Sequence, residues 1–297
     1  MNSMIHAISR RSRPLVSQPF IKILPVSAIR SPWPSVIGSV RSFSVFQDFK
    51  PKPPESLTVE IAEGILDLTQ FYCRYGISGQ QLRHLASIPN LTTIERWQQM
   101  MEVYVTTQIH VIAGLGYDSN PEGLNAYALH LAQVIAKTDD TMKELFGEIR
   151  RDTWRGVVGT VFQIDPKDIP VLPIEEARAL MHKVSSRMVD PDTLLSIQNQ
   201  TAHISNDDEQ MALQMKHMVL QKILVDDVYL GGSPSLVEQS GFGSGATGYA
   251  KVQCALSDHE GDPIMANYAS TSMMKILSAA GIDVDKIEGP GLGTNPV

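Results

Sequence analysis

Most of the features that would declare an activity are missing from this sequence. It has two cysteines in 297 residues, Cys73 and Cys254, too few and too far apart for a disulfide framework. Both therefore read as small buried hydrophobes. No stretch approaches the 18 uninterrupted apolar residues of a membrane span; the best window, residues 103–115, is broken by Thr106, Thr107, Gln108 and His110. The eight histidines never stand three or four positions apart, and neither H-E-x-x-H nor E-x-x-H occurs. That pattern argues against zinc or di-iron ligands presented from a helix. A G-x-S-x-G nucleophile motif is absent as well.

One absence is informative in the other direction. The first 47 residues contain no Asp or Glu, yet carry Arg10, Arg11, Arg13, Lys22, Arg30 and Arg41 and nine serines within the first 43. Apolar Ile5, Ile8, Leu15, Phe20, Ile23 and Leu24 are interleaved with the basic residues. An Arg-rich, Ser-rich, acid-free segment has the composition of an organelle transit peptide. The charge has a physical use, since each positive charge gains about 2.3 kcal/mol per 100 mV on entering a compartment that is negative inside. Arg41-Ser42-Phe43-Ser44 resembles a matrix-processing-peptidase site, which implies cleavage between Phe43 and Ser44. The expected address is the mitochondrial matrix or the matrix face of the inner membrane, with a plastid as the alternative.

Without the leader the charge balance changes. Six of the 25 Lys and Arg lie before residue 44 and none of the 32 Asp and Glu do, leaving 19 against 32, or −13, where the whole chain has −7. An acidic body disfavours a nucleic-acid partner, because phosphate backbones are held by concentrated Lys and Arg.

Beyond the leader the apolar residues recur at helical spacing. Residues 44–56 form a Pro-rich linker. Ile61, Ile65, Leu68, Tyr72 and Tyr75 then make one stripe, expected to face the core. Ser78–Gln81 reads as a capping box for a short second helix, and Thr92–Glu95 as one for a third. Asn120-Pro121 starts another helix, with Pro at the first helical position, and Thr138-Asp-Asp a further one. Over residues 157–164 the β-branched run and Gly156 and Gly159 make a short β element compete with a helix. Asp165-Pro, Ile169-Pro and Leu172-Pro break the pattern, so the chain divides into a helical region at 57–164, a connector at 165–172 and a second helical region at 173–287. A tail at 288–297 follows. In the second region a long helix is expected from residue 206 to 230, with Met211, Met215 and Met218 read as filling the core in preference to lining an adaptable binding groove. The fold class is mainly α, an irregular bundle of 8–10 helices.

Few residues suggest chemistry. Gly243-Ser-Gly245-Ala-Thr-Gly248 matches G-x-G-x-x-G, whose glycines can let a backbone approach a phosphate at a helix N-terminus. No strand pattern precedes it, so a connector is the favoured reading. The acidic loop Asp258–Asp262 has Pro263 and Ala269 where a calcium loop needs Gly and Glu, and reads instead as a cap for the next helix. Ser272-Met-Met-Lys275 matches S-x-x-K, but its partner motif K-T-G is absent. No catalytic residue, metal or cofactor is therefore expected.

Residues Pro89–Trp97 followed by His110 resemble a short stretch of the ubiquinol–cytochrome c chaperone family, and the later chain does not follow it. Three functions remain as expectations. The first is a non-catalytic, matrix-side accessory subunit of a respiratory or ATP synthase complex, with other subunits as partners. The second is an assembly factor for such a complex, and the third a matrix enzyme with a phosphate-binding Gly loop.

Overall fold

The computed structural model describes residues 53–205, 208–259 and 261–283, and among these residues every regular element is helical. Five helices make the N-terminal part: α1 (Val59–Tyr75), α2 (Ile77–Ser87), α3 (Thr93–Ala113), α4 (Pro121–Lys137) and α5 (Asp140–Phe162). Six follow: α6 (Ile174–Met188), α7 (Pro191–Thr201), α8 (Glu209–Ile223), α9 (Leu236–Gln239), α10 (Gly245–Ser257) and α11 (Pro263–Ala279). The eleven helices exceed the expected 8–10 because the four-residue α9 carries no periodic signal. The leader, including Phe43 and Ser44, and the tail at 288–297 lie outside the described residues.

Several caps form as their chemistry dictates. Thr92 and Glu95 close a reciprocal capping box on α3. The Asn120 side chain accepts from the Gly123 N–H at 2.9 Å, with Pro121 at the first helical position of α4. Asp139 caps α5, and Asp262 accepts from the N–H groups of Ile264 and Met265 to start α11. Ser78 is a correction: it lies inside α2, whose N-cap is Gly76, and its hydroxyl accepts from Thr107 Oγ1 of α3 at 2.7 Å.

The expected β element at 157–164 is also corrected, because α5 runs unbroken to Phe162. Trp154, Val157, Val158, Val161 and Phe162 are buried together at helical spacing. At about 1.5–3 kcal/mol for each large apolar side chain removed from water, that burial outweighs the few tenths of a kcal/mol of helix propensity that β-branched residues forfeit. Gln163 ends the helix in the left-handed region, at φ 56°, with its N–H on the Gly159 carbonyl.

The long helix expected over 206–230 stops earlier as an α-helix. After Ile223 the chain widens into a π turn over Leu224–Tyr229, closed by the Leu230 N–H on the Val225 carbonyl at 3.0 Å.

Helix α10 joins the two parts. Its Ala246, Ala250 and Cys254 pack with Trp154, Val158 and other side chains of the N-terminal part. Its Val252, Ala255 and Leu256 lie on the opposite side, in the core formed with α6, α8 and α11. Arg155 of α5 forms a largely buried ion pair with Asp258, the C-cap of α10. Arg155 also donates to the Ile169 carbonyl at 3.0 Å, fastening the 165–172 connector to the same point. A run of ring contacts crosses the same boundary, from Trp154 to Trp97 to Tyr249 to Tyr229.

Candidate functional site

The glycine motif is explained by its own turn. Gly243 and Gly245 have φ +86° and +60°, the left-handed region that glycine enters without a steric penalty. Gly248 lies in the first turn of α10, where a Cβ would come within 2.7 Å of the Gly243 carbonyl oxygen. The loop is anchored by buried Phe242, whose N–H bonds the Val237 carbonyl at 3.0 Å. A helix, α9, precedes it where a dinucleotide site would have a strand. All three glycines are thus accounted for by backbone conformation and close packing.

The other candidate groups are engaged in structure. Asp258 is paired with Arg155, and Asp262 receives Arg178 Nη2 at 2.6 Å, so the two aspartates of the acidic loop serve arginines. Among the described residues no group of three His, Cys, Asp or Glu could hold a metal ion. Ser272 is buried and donates to the Tyr268 carbonyl at 2.8 Å, whereas Lys275 is exposed. The S-x-x-K match therefore brings no serine and lysine together. Both cysteines are buried. Burial pushes the Cys73 thiol up to about 11 and raises Cys254 further, so neither is a thiolate at neutral pH. His110 is exposed and sits edge-on to the Tyr72 ring.

Two clefts open on the surface. A shallow groove of about 380 Å³ runs between α7 and α11, lined by Leu194, Gln198, Met274 and Lys275. A cleft of about 210 Å³ lies where the start of α1 meets α4, with Thr58, His130, Gln133 and Lys137 on its wall. His130 is already engaged, its Nδ1 lying 2.7 Å from the Tyr117 hydroxyl.

What the described residues do present is exposed apolar surface, most extended along α1 and α8, with Leu129, Leu195, Ile264 and Met274 exposed singly on other helices. Along α1, Ile61, Leu68, Phe71 and Tyr75 are exposed by 38% to 69%, and Ile77 follows at the start of α2. This overturns the expected stripe: of its five members only Ile65 is fully buried and Tyr72 half-buried, while Ile61, Leu68 and Tyr75 face out. The buried face is Ala62, Ile65, Thr69 and Cys73. On α8, Met211, Met215 and Met218 are exposed by 47% to 59%, so the expectation that they fill the core is also wrong. The inward face of α8 is Ala212, Lys216, His217, Leu220 and Ile223. Lys216 reaches the Gly281 carbonyl with its Nζ at 3.1 Å. Two polar side chains thus share the inward face with three apolar ones, while three methionines point to solvent. The sequence held a signal for this in the alternative use of Met at adaptable binding surfaces.

No protein-family model matches the chain, and neither a curated protein nor a solved structure is measurably similar to it. No helix among the described residues is long and apolar enough to cross a membrane.

Proposed function

We propose that this protein is a non-catalytic accessory subunit on the matrix side of a mitochondrial inner-membrane assembly, a helical body that works by docking against other subunits. The observation that carries the reading is α8, which buries Lys216 and His217 beside Ala212, Leu220 and Ile223 and yet turns Met211, Met215 and Met218 to solvent. A free-standing helix is favoured by the opposite arrangement, with apolar side chains inward and charged ones outward. Contiguous exposed apolar surface marks interaction sites, and unbranched, polarizable Met suits a surface that adapts to a partner. The acid-free leader supports the compartment, and the −13 charge of residues 44–297 supports a protein partner over nucleic acid.

The test is native separation of detergent-solubilised mitochondria followed by quantification of each band. Co-migration with one large inner-membrane complex at a fixed ratio to its subunits is expected. A substoichiometric, transient association would point to an assembly factor instead, and migration only as a free protein would sink both readings.

A further inference from the structure

We infer that the exposed face of α1 pairs with the same face of a second copy of this chain, antiparallel, across a two-fold axis. The inference concerns α1 alone and does not rest on the matrix-side reading or on the α8 face.

At 100° per residue, Ile61, Gly64, Leu68, Phe71 and Tyr75 fall within about 80° of arc. They are spaced 3, 4, 3 and 4, the repeat with which one helix seats on another. Phe71 contacts Tyr75 with ring centroids 5.6 Å apart, so the patch is a pre-packed aromatic surface. Phe and Tyr are enriched at interface cores and Tyr among the residues that dominate binding. Gly64 has nothing within 4 Å of where its Cβ would be, leaving a notch in the strip.

Charge then decides the occupant. The border of the strip carries exposed Glu60 and Asp67 towards the N-terminal end and exposed Arg74 at the C-terminal end. Arg83 adds to the basic end, because its Nη1 bonds the Arg74 carbonyl at 2.9 Å. A uniformly basic partner, such as the chain's own acid-free leader, would be repelled by that end, and a uniformly acidic one by the other. An antiparallel copy matches both ends at once, and such self-complementarity is what a two-fold interface requires. A register that sets Leu68 of one copy against Phe71 of the other also places Tyr75 over the Gly64 notch and brings Asp67 beside Arg74. A parallel pair would put the two charged borders on opposite sides of the interface, where neither gains a partner.

Sedimentation equilibrium of the full chain tests this. The expected result is a concentration-dependent species of twice the 32.7 kDa chain mass. Leu68→Glu with Phe71→Glu should leave a monomer of unchanged helicity by circular dichroism, since both side chains are exposed. Arg74→Glu should weaken association about tenfold, as two symmetry-related ion pairs become repulsions, and adding Asp67→Arg should recover most of it. Met211→Glu with Met218→Glu should leave the dimer intact. A monomer at every concentration, a dimer that survives Leu68→Glu with Phe71→Glu, or failure of the charge swap to restore pairing would overturn the antiparallel α1 interface.

Discussion

Helices α1 and α8 both leave apolar side chains in solvent, yet they do so in opposite ways. In α1 the exposed strip lies beside the buried one, so more than half of the helix circumference is apolar and the core takes only part of it. In α8 the exposed methionines lie across the helix from a buried face that includes Lys216 and His217. The α1 surface consists of Ile, Leu, Phe and Tyr bordered by charges of both signs, a rigid pattern able to select one partner in one orientation. The α8 surface consists of flexible methionines with Gln210 and Gln214 beside them, which select little by charge and accommodate varied shapes. On the docking proposed above, the α1 contact would be specific and the α8 contact adaptable.

Helices α1 and α8 belong to parts joined where α5 meets α10, and the largest effect is expected at that join. Arg155→Leu would leave the Asp258 carboxylate buried without its cation, with side-chain exposures of 12% and 4% for the two residues. Breaking a buried pair from one side costs about 3–5 kcal/mol. Urea unfolding followed by tryptophan fluorescence should show a loss of that order. Because Trp97 and Trp154 both lie at the junction, two separate transitions would indicate that the halves uncouple before either unfolds. A loss below about 1 kcal/mol would show that the pair is not what holds α5 to α10.

A second test, smaller in size, sharpens the contrast between covered and open faces. Ile65→Ala should cost about 2–4 kcal/mol through a cavity among Ala62, Val111 and Phe146, whereas Leu68→Ala, three residues away, should cost under about 0.5 kcal/mol in the isolated chain. On α8 the same contrast is expected between Leu220→Ala and Met215→Ala. Equal losses at Ile65 and Leu68 would mean that the α1 strip is already covered at the concentration used.

These pairs also show where sequence reasoning reached its limit. Several helix starts were legible where a side chain satisfies a backbone N–H locally, as at Thr92, Asn120, Asp139 and Asp262, whereas the capping box of Ser235 and Glu238 on α9 went unread. Ser78 misled because a serine followed by glutamine three residues later has the same pattern inside a helix as at its cap. The end of α5 was obscure because β-branched residues favour strands until tertiary burial decides. On α1, periodicity identified a helix and a broad apolar arc but not which part of it other helices would cover, since that depends on the angle at which α2 folds back and on α3 and α5 packing against it from a distance in sequence. The Gly243–Gly248 motif was legible as punctuation, and the structure accounts for it with two positive φ angles and a close contact at Gly248. The inverted face of α8 was the least visible, because burying Lys216 depends on the Gly281 carbonyl, 65 positions away.

The smallest effect tests the inner side of that inversion. Burial pushes the His217 pKa below its usual value of 6.5, because the folded surroundings disfavour the charged imidazole. The unfolded chain takes up the proton near pH 6.5, so between that value and the lower folded pKa the unfolded state binds more protons. Stability therefore rises with pH across this window: the contribution is intact above pH 6.5 and is lost as the pH falls through the folded pKa. Denaturant midpoints of the wild type and His217→Gln, measured from pH 7.5 down to pH 5, isolate the effect, since every other ionisable group is common to both proteins and cancels in the difference. The wild type should lose more stability than the variant on acidification below pH 6.5. Parallel curves would mean that His217 reaches water when protonated, and with it that the inner face of α8 is less closed than the three outward methionines imply.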